Sequence, residues 1–260
     1  MIAKINILLN VILLIINFNT IKSNITSVGD YHTCSKINSD EIFCFGLNSH
    51  GQLGNDIELT LSSNYIKYNK SKSIMDIKSI ACGEQSTCVI LYNEYTNESL
   101  LSCFGNNKIN QITKSDKSII SSRLDESLIY VGKIIRDVTI GYRHTCVLLS
   151  DGKVTCFGYD MNGEVGIKRS TIPYTQNFQE NKFVRLKSEI KMISSGHSHN
   201  CAVSIDGKVI NCWGKNDFGQ LGIKDSSFSN SKNKEEFESI QFKIEENDYN
   251  SLKTYLENAD

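Results

Sequence analysis

What the chain lacks narrows the reading first. One proline in 260 residues means that tight turns, if frequent, are built from Gly, Asn, Asp and Ser. Charge of either sign is not in excess. With 28 Lys and Arg against 29 Asp and Glu, the formal net charge is -1, which gives no electrostatic reason to expect nucleic acid or an anionic membrane as partner. No C-x-x-C occurs among the nine cysteines, so the short chelating pair of zinc sites and the redox dithiol are both missing. Gly-x-Ser-x-Gly, His-Glu-x-x-His and phosphate-loop patterns are missing too, and no other catalytic constellation replaces them. The reading is therefore a non-enzymatic chain with no cofactor and no metal.

A long apolar run is also wanting. The stretch from Ile7 to Ile16, broken only by Asn10, falls short of the roughly 20 residues that span a bilayer as a helix. It follows Lys4 and ends in a polar exit, the pattern of a secretory signal peptide over residues 1–22. An uncleaved anchor is the alternative, and the only route by which this reading involves a membrane. Secretory entry would place the cysteines in an oxidising compartment, where pairing is their default state. It would also make the sequons at Asn24, Asn69 and Asn97 glycosylation candidates.

What the chain has is repetition. GDYHTCSKINSDEIFCFGLNSHGQLG (29–54), GYRHTCVLLSDGKVTCFGYDMNGEVG (141–166) and GHSHNCAVSIDGKVINCWGKNDFGQLG (196–222) are copies of one motif. A degenerate copy runs from 83 to 112. The leading glycines Gly29, Gly83, Gly141 and Gly196 are 54, 58 and 55 residues apart. Short apolar runs such as IRDVTI, punctuated by Asn, Gly, Ser and Asp, favour strands over helices. About 55 residues hold roughly four short strands, the size of one propeller blade.

Hairpin register then places the sulfurs. A three-residue Ser150-Asp151-Gly152 loop sets Leu149 against Lys153 and Cys146 against Cys156. The same rule around 38–40 opposes Cys34 and Cys44. A two-residue Asp206-Gly207 turn opposes Cys201 and Cys212, and Cys88 and Cys103 flank the longer connection YNEYTNES. Opposed positions lie close to disulfide range, so the expectation is one disulfide per repeat: 34–44, 88–103, 146–156 and 201–212. Cys82, the ninth, is read as a small buried residue, with a reactive thiol or an intermolecular bridge as the alternatives.

The order G-x-x-H-T-C, D-G-K-V-x-C-[FW]-G and x-N-x-x-G-Q-L-G resembles the blade repeat of the regulator of chromosome condensation family of β-propellers. The resemblance covers nearly all of the chain from Gly29 to Gly222, and the paired cysteines look like an extracytoplasmic variant of it. It implies an all-β fold with propeller blades of about four antiparallel strands, in four repeats near 23–78, 79–136, 137–191 and 192–246. The arrangement is either a closed small ring or a partial propeller. Residues 247–260 are then a strand closing the first blade or the start of a fifth repeat.

Physical roles for the motif follow. The leading glycines either adopt positive φ or let neighbouring blades approach. Phe45, Phe104, Phe157 and Trp213 fill space between sheets. Gly51, Gly163 and Gly219 occupy a positive-φ turn, where Asn110 stands in the degenerate copy. Leu53, Ile112, Val165 and Leu221 are core. His32, His144 and His199, replaced by Ser86 in the second copy, serve a hydrogen bond repeated from blade to blade. Binding is assigned to the loops, including the connectors 55–73, 113–128 and 167–182. The functional expectation is a protein-binding scaffold in the secretory pathway or outside the cell, able to self-associate through open blade faces. A guanine-nucleotide exchange regulator of a small GTPase and an enzyme inhibitor of the same propeller family are the alternatives.

Overall fold

The computed structural model describes residues 25–55, 61–67, 75–109, 111–112, 119–120, 128–167, 175–176, 182–222 and 240–243. Residues 1–22, read as a signal peptide, the segment 247–260, Asn24, Asn69 and Asn110 lie outside the described residues.

Four antiparallel sheets follow one another along the chain. The first holds β1 (Thr26–Val28), β2 (His32–Lys36), β3 (Glu41–Leu47) and β4 (Leu61–Lys67). The second holds β5 (Asp76–Cys82), β6 (Ser86–Asn93), β7 (Glu98–Asn106) and β8 (Ile119–Ile120), with β9 (Leu128–Ile129) also paired to β7. The third is β10 (Ile135–Ile140), β11 (His144–Leu149), β12 (Val154–Tyr159) and β13 (Thr175–Gln176). The fourth is β14 (Ile190–Ser195), β15 (His199–Ser204), β16 (Val209–Gly214) and β17 (Ile240–Lys243). Each sheet is a strand meander, the construction of a propeller blade.

The outer strands correct the reading of the connectors. β4, β8 and β13 lie inside the segments 55–73, 113–128 and 167–182, and each completes the sheet that precedes it. Innermost strands start at Asp76, Ile135 and Ile190, two or three residues ahead of the repeat limits drawn at 79, 137 and 192. A feature without a sequence signal recurs there as well. The pairing of β5, β10 and β14 with the next strand slips between 77 and 79, between 135 and 137, and between 190 and 192. The skipped residues are Lys78, Arg136 and Lys191. An extra residue at one place in a strand bends it and raises its twist.

Burial shows how the blades stack. All residues of β11 are buried, whereas the equivalent strand β15 alternates between half-buried and buried. An inner blade has both faces covered, so its strand reads as a continuous apolar run; an end blade has one. One apolar cluster runs through the first three blades, and a second joins the third to the fourth. Phe45 is the cost of an open face. Expected in the core, it is 45 % exposed, while Phe104, Phe157 and Trp213 are buried. Two of these reach back onto the preceding blade: Trp213 Nε1 donates to Glu164 O at 3.0 Å, and the Phe104 ring lies beside Gly54. No described blade precedes Phe45.

Candidate functional site

The four hairpins hold four disulfides, 34–44, 88–103, 146–156 and 201–212, each with Cα atoms 4.1 Å apart. Opposed residues in an antiparallel ladder alternate between wide pairs near ~5.5 Å and narrow pairs near ~4.5 Å. The cysteines occupy narrow pairs, which removes the small gap left by average register geometry. The turns are built as the local sequence dictates, with two refinements. Leu149 N donates to Lys153 O at 2.9 Å around a Gly152 of φ 74°, as the three-residue loop requires. The fourth hairpin keeps its register but turns over residues 205–208 rather than two, Gly207 N donating to Ser204 O at 2.9 Å. In the second, Asn93 still pairs with Glu98, so strands take up half of the expected long connection. Asn97, with φ 56°, sits exposed in the remaining turn, and its Oδ1 accepts from Tyr92 Oη at 2.8 Å.

The motif residues meet at the junctions between blades. None of the four leading glycines has a positive φ, so of the two roles weighed for them the close approach is the one observed. A Cβ on Gly29 would stand 2.1 Å from the carbonyl oxygen of Gly83, and one on Gly141 would stand 2.7 Å from that of Gly196. Gly51, Gly163 and Gly219 do carry the positive φ expected of their turn. Asn48, Asn107, Asp160 and Asn216 close that turn, each side-chain oxygen accepting the backbone N–H of the buried apolar residue five positions on. Gln52, Gln111, Glu164 and Gln220 brace it from within. These two polar positions were visible in the motif, but the pattern alone gives them no role.

His32 Nε2 lies 2.7 Å from Thr87 Oγ1, across the first junction. The Thr87 hydroxyl spends its proton on Gln52 O at 2.8 Å, so the imidazole donates. His144 Nε2 likewise reaches Asn200 Oδ1 at 2.8 Å, across the third junction, and Asn200 Nδ2 donates to Glu164 O at 2.8 Å. Burial lowers both imidazoles to a pKa of about 4, so they are neutral donors at neutral pH. His199, on the last described blade, is only half-buried. Where Ser86 replaces the ring, the methyl group of Ile140 moves in; a Cβ on Gly83 would stand 2.4 Å from Ile140 Cγ2, the place held at Gly141 by the His144 ring.

Cys82 is a free, buried thiol, raised to a pKa of about 11 by burial and thus unreactive as a nucleophile. Its sulfur and donor atoms of His32 and Cys34 lie within 4.8 Å of one another. Cys34 is already bonded to Cys44, which leaves two donors, fewer than the three or four protein ligands of a zinc site.

One end of the blades gathers the G-x-x-H loops and the N-x-x-G-Q-L-G turns, and the D-G hairpins point to the other. The glycine row lines a cavity of 190 Å³ at the loop-bearing end, bordered by Asp30, Glu84, Tyr142 and His197. The Tyr142 and His197 rings stack at 4.2 Å, and the Arg143 guanidinium covers Tyr142 at 4.7 Å. Burial, followed by repulsion from Asp30, raises the Glu84 carboxyl above its usual range. A second cleft of 370 Å³ opens beside it, between the turns of the first two blades and Arg143.

Comparison with known proteins places these features. Residues 39–90, 135–164 and 190–220 match the regulator of chromosome condensation (RCC1) repeat. The ultraviolet-B receptor UVR8 of Arabidopsis thaliana is 27% identical over 201 residues, which are 75% of this chain and 42% of the receptor. The human X-linked retinitis pigmentosa GTPase regulator is 28% identical over 148 residues, 57% of this chain and 14% of that protein. The chain thus spans less than half the length of either relative. Prp20p of Saccharomyces cerevisiae, whose structure was described with its binding to Gsp1p and histones, superposes with a TM-score of 0.62 at 17% identity, over 90% of this chain and 59% of that one. Human WBSCR16 superposes at 0.64 with 17% identity, over 85% and 53%. At that identity the structures speak for the fold.

Proposed function

Because the chain belongs to the regulator of chromosome condensation repeat family of β-propellers, we propose that it is a protein-binding propeller without enzymatic activity, working in the secretory pathway or outside the cell. The observation that carries the compartment is a disulfide in each of the four blades. Glutathione and thioredoxin keep cytosolic thiols reduced, so four structural disulfides fit an oxidising lumen. The same argument weighs against the exchange-regulator reading, which needs the blades in the cytoplasm. The binding role draws support from the relatives, which include a receptor and a GTPase regulator, and from the loop-bearing end, where variable side chains crown a fixed frame.

Two measurements test the reading. In sealed microsomes from cells making the chain, the blades are expected to resist added protease until detergent opens the vesicles; digestion without detergent contradicts the compartment. A photo-crosslinking amino acid at position 142, on the loop-bearing end, is expected to yield adducts with another protein in the native source, and one at position 208, on the hairpin end, is not. Adducts at neither position contradict the binding role.

A further inference from the structure

The cleft of 370 Å³ is built from three blades. His50 comes from the turn after β3, Gln85 from the loop before β6, Lys108 and Gln111 from the turn after β7, and Arg143 from the loop before β11. Among the described residues its lining contains no carboxylate. The amides there have already committed their oxygens. Gln85 Oε1 accepts from Asn106 Nδ2 at 2.7 Å, and Gln111 Oε1 accepts from Ile109 N at 3.0 Å. Asn106 Oδ1 in turn accepts from Lys108 N at 3.0 Å. What the two glutamines still offer is N–H, because an amide has two donors beside its one oxygen.

Cations complete the set. Lys108 and Arg143 are exposed, and neither takes part in an ion pair among the described residues. Arg143 is held in place by its stacking over Tyr142 and by donating Nη2 to Tyr142 Oη at 3.2 Å. A guanidinium fixed in this way matches the planar, bidentate geometry of a carboxylate. His50 Nδ1 is engaged with Ser49 Oγ at 2.9 Å, which leaves Nε2; burial and the nearby Lys108 both disfavour its protonated form. Glu84, close enough to Arg143 to influence its own titration, restrains the positive charge. That balance suits singly charged carboxylates better than a doubly charged phosphate. The volume falls in the range of about 300–1,000 Å³ that receives an organic ligand rather than a single ion.

From the two cations and the amide donors of this lining we propose that the cleft receives carboxylate side chains of an acidic peptide segment presented by a protein partner. The inference rests on the protein-binding reading and adds a chemical class to it. Lys108 and Arg143 supply the charge, the Gln85 and Gln111 amides supply direction, and the span across three blades suits an extended segment.

The test is fluorescence anisotropy with a labelled peptide of alternating Glu and Gly, added to the whole chain with its disulfides intact. Saturable binding that weakens with salt is expected, and the matching Lys-Gly peptide should not bind. The double variant K108A/R143A should weaken binding by about tenfold or more, since it removes both cations that pair with the carboxylates. K208A, on the opposite end, should leave it unchanged. All three positions are exposed, so the variants should fold. Absence of saturable binding, or equal affinity in K108A/R143A, overturns the proposal. Displacement of the peptide by millimolar inorganic phosphate overturns it in favour of a phosphate site. Persistence of the position-142 cross-links when peptide binding fails would show that the inference has fallen and the binding role has not.

Discussion

The junction between the second and third blades is put together differently from the junctions on either side of it. At the first and third, an imidazole crosses to the next blade, His32 to Thr87 and His144 to Asn200. A hydroxyl on the innermost strand also accepts a backbone N–H of that blade: Ser27 Oγ from Cys82 N and Thr139 Oγ1 from Ser195 N, each at 2.9 Å. At the middle junction those places hold Ser86 and Ala81, and Ile140 fills the space of the ring. Two polar contacts are common to all three: Thr87, Thr145 and Asn200 each donate to a turn carbonyl of the preceding blade at 2.7–2.8 Å, and the N–H groups of Ile77, Ile135 and Ile190 donate to Ser39 O, Ser99 Oγ and Gly152 O of the preceding hairpin. One fold position can thus be filled by a hydrogen-bonded ring or by an apolar wedge. The residues facing it must change together, because either half alone leaves an unpaired donor or a cavity.

Four results would break or sharpen that contrast. The largest effect is expected from Phe157→Ala at the middle junction. Removing a fully buried ring costs ~3–5 kcal/mol in urea denaturation, whereas the same change at exposed Phe45 should cost under ~1 kcal/mol. Next comes Ile140→Ser, expected to cost ~2–4 kcal/mol alone and markedly less when Ser86→His is added. Additive losses in that double-mutant cycle would mean that the ring and the wedge are not exchangeable.

The third concerns pH and separates the outer junctions from the middle one. His32 and His144 have folded pKa values of about 4 against 6.5 in the free side chain. The unfolded chain therefore takes up protons first, so their contribution is complete above pH 6.5 and is lost as pH falls towards 4. Stability should decline across that window, and the double variant His32→Gln, His144→Gln should decline less steeply. Parallel curves would contradict neutral, buried imidazoles. The smallest effect belongs to Cys82. In the folded chain its thiol should react with iodoacetamide far more slowly than in urea, and Cys82→Ser should shift stability by about 1 kcal/mol or less.

Local pattern carried much of this architecture. Glycine spacing located the blades, hairpin arithmetic located three of the sulfur pairs, and the repeat placed Cys88 with Cys103, because all of these depend on residues close in sequence. Failures arose where meaning is non-local. Phe45 has the same neighbours in sequence as Phe157, and only the absence of a described blade before it leaves it exposed. Outer strands such as β4 and β13 lie in polar, irregular sequence and exist because β3 and β12 offer an edge to pair with. The turn residues Asn48 and Gln52 were legible as a motif, while their capping roles needed coordinates. Gln85, Lys108 and Arg143 are ordinary polar residues until three blades bring them around one cleft.

The sulfurs are covalent clips within single blades, and the proposed export of the propeller depends on them. Non-reducing peptide mapping of the protein from its native source tests this most directly. The account predicts four linked peptide pairs, 34–44, 88–103, 146–156 and 201–212, with Cys82 alone recovered as a free thiol. Recovery of most of these cysteines in alkylated form without reductant, or of links between different blades, would contradict it.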